Sequence, residues 1–241
     1  MNKILVVGAS GATGRLLVQA LLNRGQSVIA IVRSPKKLPN TLREHHNLKI
    51  VHANPLDLTS AQMAQYIGQC RAVASCLGHT MTWRGIYGQP RRLVTDAVCQ
   101  LCNAITANQA EQPTKVVLMN TAGNSNRDLH EQVSFMQQCT VWLIRVLLPP
   151  HADNENAADY LRIEIGQHNP NIEWSVVRPD NLTNEVQVTE YEVYPSPIRS
   201  AIFDAGSTSR ANVSDFMASL ITEDGLWSQW KGQMPVIYNK P

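Results

Sequence analysis

The chain has 241 residues, of which 44% are hydrophobic and 17% are charged, and its formal net charge is +2. This length and composition are typical of a globular protein that buries a substantial core. The low net charge and the scattered basic residues argue against nucleic acid or an anionic membrane as a partner.

The N-terminus and the cysteines predict a cytoplasmic protein. The residues after Met1 lack the apolar region and cleavage site of a signal peptide. The most apolar later stretch, Val141–Leu148, is interrupted by Arg145 and is too short to span a bilayer. With no export signal, the five cysteines are expected as reduced thiols. Cys99 and Cys102 share a helical pattern without a nearby histidine, which favours packed thiols over a metal site.

Strand and helix patterns alternate along the chain and predict a parallel sheet with helices on both faces. The predicted strands are Ile4–Val7, Val28–Val32, Leu48–Ala53, Ala72–Leu77, Lys115–Asn120, Ile172–Arg178 and Met234–Tyr238. The predicted helices are Gly14–Asn23, Gln62–Gln69, Leu93–Asn108, Val133–Leu148, Ala157–Gln167 and Ala211–Thr222. This order indicates a doubly wound, Rossmann-type α/β fold. We expect one domain over residues 1–241, with a small loop-rich C-terminal subregion from residue 179.

A glycine-rich turn with the spacing GxxGxxG joins the first strand to the first helix. Glycines at this place allow a tight turn and let the backbone approach a diphosphate, while the helix N-terminus offers free N–H groups. Because strand, turn and helix come in the required order, the turn predicts dinucleotide binding. The residues expected at the phosphates are Gly8, Ser10, Gly11, Ala12, Thr13 and Gly14.

The sequence resembles the extended and atypical short-chain dehydrogenase/reductase superfamily. Within it, the chain is most similar to the NmrA-like, NAD(P)H-binding group that includes flavin and biliverdin reductases. The residues that carry the resemblance are the run from Val6 to Gly14, Ala30–Pro35, Glu164 ten positions before Trp174–Pro179, and Ser209–Phe216. The resemblance covers nearly the whole chain.

The end of the second strand favours NADP over NAD. An acidic residue there would accept a hydrogen bond from the ribose 2′-hydroxyl, whereas this chain has Arg33, followed by Lys36 and Lys37. A guanidinium suits a 2′-phosphate by charge and geometry, although a solvated arginine at a strand end is the alternative. Asp57 matches the acidic residue that contacts the adenine in the family that the chain resembles. The alternative is a structural role near a helix N-cap.

Further cofactor contacts are expected beyond the carboxyl ends of the strands, where open α/β sheets bind ligands. Pro179 matches a position whose following backbone lies near the nicotinamide in the resembled family. The predicted contacts at this edge are Leu58, Leu77, Gly78, Thr121 and Pro179. The subregion from residue 179 is expected to form the substrate side.

The proton relay of the wider superfamily is missing. That relay uses Tyr and Lys in a Y-x-x-x-K pattern, with a Ser or Thr after the fifth strand. Thr121 matches the hydroxyl position. If Glu164 matches the glutamate that ends the superfamily pattern, Asn156 and Tyr160 stand where Tyr and Lys are needed. This absence argues against alcohol dehydrogenation but allows hydride transfer to a flavin, quinone or tetrapyrrole.

The stretch after the fourth strand holds aromatic and basic side chains that would suit a planar anionic acceptor. A surface loop with solvated arginines is the alternative. A lone histidine in a loop is more often structural than catalytic. The candidate catalytic residues are Thr121, His79 and His151, and the further pocket candidates are Trp83, Arg84, Arg91 and Arg92.

Two functions follow from these residues. The first is an NADPH-dependent reductase of a small flavin- or quinone-like hydride acceptor. The second is a non-catalytic protein that senses NADP and binds a protein partner, which the lost Tyr/Lys pair favours. A monomer or weak oligomer is expected, with no metal, nucleic acid or membrane bound.

Overall fold

The computed structural model describes residues 2–80, 82–129, 131, 135–185 and 187–240. The strands are β1 Lys3–Val7, β2 Ser27–Val32, β3 Leu48–His52, β4 Cys70–Ser75, β5 Thr114–Met119, β6 Ile172–Pro179, β7 Asn181–Thr183, β8 Tyr191–Tyr194, β9 Ser207–Ser209 and β10 Val236–Asn239. The α-helices are α1 Ala12–Asn23, α2 Asn40–Arg43, α3 Ser60–Ile67, α4 Trp83–Tyr87, α5 Leu93–Asn108, α6 Phe135–Leu147, α7 Pro149–Asp159, α8 Arg210–Thr222 and α9 Asp224–Trp230.

The main sheet has the strand order β3-β2-β1-β4-β5-β6-β10-β8, and β7 pairs with β9 in a small second sheet. All neighbours from β3 to β10 run parallel, whereas β8 runs antiparallel to β10. The chain reverses direction across the sheet between β1 and β4, which is the place where doubly wound sheets bind ligands. The predicted Rossmann-type fold is confirmed.

Both faces of the sheet are covered by helices, as alternation along β1 shows. Ile4 and Val6 pack into the core on the side of α1 and α8. Leu5 and Val7 pack into the core on the side of α3, α5 and α7. Successive side chains of a strand point to opposite faces, so a wholly apolar strand requires a cover on each side.

The region around Pro149 differs from the prediction. Helix α6 ends at Leu147, and α7 begins directly at Pro149 instead of at Ala157. Proline is tolerated in the first turn of a helix, because the N–H that it lacks has no partner inside the helix there. The prolines therefore end one helix and start the next. After α7 the chain continues as a π-helical turn, Tyr160–Ile165. Residues 133 and 134, where the predicted helix began, lie outside the described residues.

The C-terminal subregion is less loop-like than predicted. Strand β8 lies within it and extends the main sheet through its pairing with β10, for example Ile237 with Val193. Strands β7 and β9 pair in register from Asn181 and Ser207. None of the helices in the described part of the chain has the length and apolarity needed to cross a bilayer.

Candidate functional site

The glycine turn after β1 is packed so closely that side chains are excluded. Gly8 has φ +73°, and a Cβ at this residue would lie 2.5 Å from the carbonyl of Cys76. A Cβ at Gly14 would lie 2.2 Å from the Gly8 carbonyl oxygen, closer than real Cβ atoms approach. Helix α1 begins immediately after Gly11, which provides no side chain to cap it. The turn therefore leaves first-turn N–H groups available to an anion.

A groove of about 170 Å³ lies beyond the carboxyl ends of β1, β2 and β4. Several predicted cofactor residues come together in it. The predicted Ala12, Thr13 and Gly14, which form the first turn of α1, are not among its lining residues, and their contact with the cofactor stays a prediction. Thr13 is buried, and its carbonyl accepts a hydrogen bond from the Ser214 hydroxyl. The predicted residues that line the groove are Gly8, Ser10, Gly11, Arg33, Leu77 and Gly78.

The groove has a cationic end formed by Arg33 and Lys37, which both line it. Both side chains are exposed, and within the described residues neither has an acidic group within 4.0 Å. The Arg33 carbonyl accepts a hydrogen bond from Nε2 of His52, which ties the end of β2 to β3. Cations without acidic partners beside a groove are suited to bind a phosphate group.

Asp57 and Leu58 lie next to the groove and not among its lining residues. The exposed Asp57 carboxylate accepts a hydrogen bond from Nδ2 of Asn54 at 3.0 Å, and Asn54 itself lines the groove. Asp57 therefore supports the segment that borders the groove, and its contact with adenine stays a prediction.

A second space, a cavity of about 400 Å³, lies beyond the ends of β5 and β6. Its walls come from the residues after these strands, from helices α6 and α7, and from the turn before β9. We call it the acceptor cavity, because it lies where the substrate side was predicted. Its lining residues are Thr121, Gly123, Val141, Ile144, His151, Asp180, Asn181, Leu182, Ala201, Ile202 and Ala205.

Thr121 and His151, two of the catalytic candidates, both line the acceptor cavity. The Thr121 hydroxyl oxygen accepts a hydrogen bond from the Gly123 N–H at 3.2 Å, which leaves its proton available as a donor. Pro179, a predicted cofactor contact, directly precedes the lining residue Asp180, and its carbonyl accepts from the Ala122 N–H at 2.9 Å. These contacts hold the segments after β5 and β6 together.

His151 is mostly buried and lies close to the ion pair between Arg145 and Glu155. Burial lowers the pKa of its imidazole, Arg145 lowers it further, and Glu155 partly opposes this. Nε2 of His151 lies 3.8 Å from Glu155, whose carboxylate binds Arg145 at 2.6 and 2.9 Å. A neutral imidazole with one N–H beside a cavity can hold or donate a proton.

The structure places His79, the third catalytic candidate, outside the acceptor cavity. Its ring is buried, with Nε2 2.7 Å from Asp153 and Nδ1 3.2 Å from the Gly85 carbonyl. Because both ring nitrogens face partners within the protein, the geometry favours a positioning role over catalysis. Asp153 had no local signal in the sequence, because its partners are distant along the chain.

The residues at the places of the missing proton relay lie away from the cavity lining. Asn156 is exposed on α7. Tyr160 faces Cys99 and Cys102, and burial together with these thiols and Glu164 raises the pKa of its hydroxyl to about 12. A phenol with this surrounding cannot substitute for the lysine of the relay.

The loop after His79 agrees with the alternative of a solvated surface. Trp83 is 80% exposed. Arg91 and Arg92 are exposed, and Nε of Arg92 lies 3.4 Å from Asp96 one helical turn later. None of these residues lines the groove or the acceptor cavity. The Arg84 side chain lies outside the described residues.

The cysteine thiols whose surroundings are described resist ionisation. Burial raises the pKa of Cys76 to about 12 and that of Cys70 to about 11, the latter despite the nearby Lys3. Burial also raises the pKa of Cys102. No group of three or more potential metal ligands occurs in the described part of the chain. The Cys139 side chain lies outside it.

Several residues of the acceptor cavity escaped the sequence analysis. Val141 and Ile144 come from a helix that reads only as apolar, and Ala201 and Ile202 come from an irregular turn. Asp180 comes two residues after the end of the predicted strand, Arg178, and this position was the one available signal for it. Arg178, two residues before Asp180, is fully buried and donates to Glu131 at 2.7 Å and to the Met234 carbonyl at 2.6 Å, which anchors the end of β6.

Solved structures share this fold across the whole chain. One is a short-chain dehydrogenase/reductase of the wide type from Veillonella parvula in complex with NADP, with 16% identity and a TM-score of 0.70 over 100% of this chain and 95% of that chain. Another, from Streptococcus pneumoniae, is named as a candidate NADH-flavin reductase, with 17% identity and a TM-score of 0.67 over 100% of both chains. At such identities the likeness concerns the fold alone.

Sequence comparison identifies the family. An uncharacterized chloroplastic protein of Arabidopsis thaliana is 36% identical over 77 residues, which cover 31% of this chain and 26% of that protein. A family described as NAD(P)H-binding matches residues 8–224, from the first glycine of the turn to the start of α9. This match agrees with the resemblance to NAD(P)H-binding reductases and with the packed glycine turn. The chain belongs to the NAD(P)H-binding family.

Proposed function

We propose that this protein is an NADPH-dependent reductase that transfers a hydride to a flavin- or quinone-like acceptor. The observation that carries the proposal is the placement of the groove and the acceptor cavity along one edge of the sheet. The groove lies over β2, β1 and β4, the cavity lies over β5 and β6, and β4 is the neighbour of β5. A dinucleotide held at the glycine turn thus has binding surface on both sides.

Each part of this edge fits a part of the cofactor. Gly8 and Gly14 allow the turn to pack closely against the backbone around it, and the uncapped start of α1 then offers N–H groups to a diphosphate. Arg33 and Lys37 provide charge for a 2′-phosphate, which is the reason for proposing NADP over NAD. When bound, NADPH supplies the hydride.

The acceptor cavity provides surfaces that position an acceptor. Val141, Ile144 and Ile202 form apolar walls against which a planar ring can pack. Thr121 and the neutral His151 offer hydrogen-bond donors to an acceptor oxygen or nitrogen. Holding the acceptor next to the nicotinamide side of the groove accounts for much of the rate in such transfers.

The test is NADPH oxidation by the purified chain with a panel of flavins and quinones, followed by the loss of NADPH absorbance. We expect turnover with at least one acceptor, a lower kcat in Thr121→Val and His151→Ala, and an unchanged NADPH Kd in both variants. Tight NADPH binding without turnover of any acceptor would refute the proposal.

The second candidate function is a sensor of the NADP state that binds a protein partner. Two observations favour it: the missing Tyr/Lys relay, and exposed apolar side chains on one helix, α6. Pull-down with and without NADPH tests it, because partners that do not depend on the cofactor contradict it. That the protein is cytoplasmic, and that it is a monomer or a weak oligomer, stay predictions. The exposed apolar residues of α6 are Met136, Trp142, Leu143, Val146 and Leu147.

A further inference from the structure

The acceptor cavity contains one carboxylate, Asp180, and its described lining includes neither lysine nor arginine. Oδ2 of Asp180 accepts a hydrogen bond from the Gly206 N–H at 2.8 Å, which holds the carboxylate at the start of the subregion. Its environment is partly shielded from water, and this burial raises the pKa of Asp180. The N–H groups of Gly206 and Asn181 and the charge of Arg199 oppose the rise, and Asp204 adds to it. A poorly hydrated carboxylate acts strongly on charges that enter the same space.

Two basic side chains outside the lining act on charged groups of the cavity, and each is paired with an acid of its own. Arg145, behind His151, binds the Glu155 carboxylate through two nitrogens, at 2.6 and 2.9 Å. Arg199, whose charge lowers the pKa of Asp180, binds Asp204 through Nη2 at 3.2 Å. Since His151 is held neutral by burial, the negative charge of Asp180 has no counterpart in the cavity wall.

We infer that the acceptor is uncharged, a quinone-class molecule without acidic groups, and that Asp180 determines this specificity by repelling anions. The inference rests on the proposed function and narrows it. An acceptor with an anionic group in the cavity would lie beside the fixed negative charge of Asp180. This repulsion is unfavourable, and the described cavity lining provides no cation to compensate for it. The apolar remainder of the wall, including Leu182 and Ile202, suits an uncharged ring.

The experiment compares two acceptors with the same ring system, menadione and 1,4-naphthoquinone-2-sulfonate, in the full chain with saturating NADPH. The measured quantity is the ratio of kcat/KM for the uncharged quinone to that for the sulfonate. Comparing this ratio between variants removes the difference in redox potential between the two compounds. We expect Asp180→Asn to lower the ratio by about tenfold or more.

Two further variants complete the design. Glu190→Gln removes an acid that is 82% exposed and lies outside the cavity lining, so the ratio should stay as in the wild type. Ile202→Lys adds a cation to the wall and should lower the ratio even if Asp180→Asn folds poorly. An equal ratio in the wild type, Asp180→Asn and Ile202→Lys would overturn the inference while NADPH oxidation itself upholds the proposed function.

Binding of the same two quinones in the presence of NADP⁺, measured by calorimetry, separates the two proposals. If no quinone is reduced but Asp180→Asn selectively strengthens binding of the sulfonate, the charge inference stands and the reductase proposal fails. If neither quinone binds and neither is reduced, both fail.

Discussion

Nε2 of His79 lies 2.7 Å from Oδ2 of Asp153, and this contact connects helix α7 to the segment that follows β4. The same carboxylate accepts hydrogen bonds from the N–H groups of Val94 and Thr95, at 2.8 and 3.0 Å, and from the Thr95 hydroxyl at 2.6 Å. Asp153 thus caps helix α5 from a neighbouring helix. Because His151 lies on the same helix and faces the acceptor cavity, one buried carboxylate positions parts of both the groove and the cavity.

We predict that Asp153→Ala lowers the free energy of unfolding by about 3 kcal/mol or more, because it leaves buried donors of His79, Val94 and Thr95 without an acceptor. Urea denaturation measures this. The matched control is Asp204→Ala, which removes an acid that is 65% exposed and paired with Arg199, and it should cost less than about 1 kcal/mol. Equal losses in the two variants would contradict the assigned role of Asp153.

Adding a methyl group to the glycine turn should abolish tight cofactor binding. In Gly14→Ala the new Cβ would lie 2.2 Å from the Gly8 carbonyl oxygen, so the turn must open. We expect the Kd for NADPH to rise by at least about tenfold, a loss of about 1.4 kcal/mol. Titration calorimetry checks this, with Gly225→Ala as the control because its Cβ meets nothing within 4 Å. Unchanged affinity in Gly14→Ala would count against the turn as the diphosphate site.

The choice between NADP and NAD can be tested at Arg33. Arg33→Ala removes a charged donor from the end of the groove, and we expect the Kd for NADPH to rise by about tenfold while the Kd for NADH stays constant. Lys36→Ala serves as the control, because Lys36 is exposed but does not line the groove. If Arg33→Ala weakens both cofactors equally or neither, Arg33 does not recognise a 2′-phosphate.

His151 should make the stability of the protein depend on pH. Its pKa is lowered in the folded state by burial and by Arg145, against the opposing charge of Glu155. Below its ordinary pKa of about 6.5, the unfolded chain therefore takes up a proton that the folded protein refuses, and stability falls as the pH falls. Each pH unit in this window costs up to about 1.4 kcal/mol.

The measurement is urea denaturation of the wild type and His151→Asn at pH 7.5 and 5.5. We expect the variant to lose less stability than the wild type between these two pH values. An identical loss in both proteins would show that His151 titrates the same in the folded and unfolded chains.

The sequence by itself determined the framework of the fold and the cofactor turn. The apolar run of β1, from Ile4 to Val7, requires helices on both faces of the sheet, and the structure has them. The sequence predicted a close-packed turn at Gly8, Gly11 and Gly14. A Cβ at each of these glycines would approach backbone atoms a few residues away or at the end of the adjacent strand. Periodicity and glycine spacing are local properties, so they remain visible without the tertiary structure.

Only the tertiary structure decided which polar side chains act together. Asp153 meets Val94 from 59 positions away, and it meets His79 from 74 positions away. Asp180 shares a cavity with His151 and Ile202 because β5, β6 and α7 converge at one edge of the sheet. Such contacts arise from packing between distant segments, so the local sequence around one residue does not predict its partner. The chemistry of the acceptor cavity therefore came from the packing.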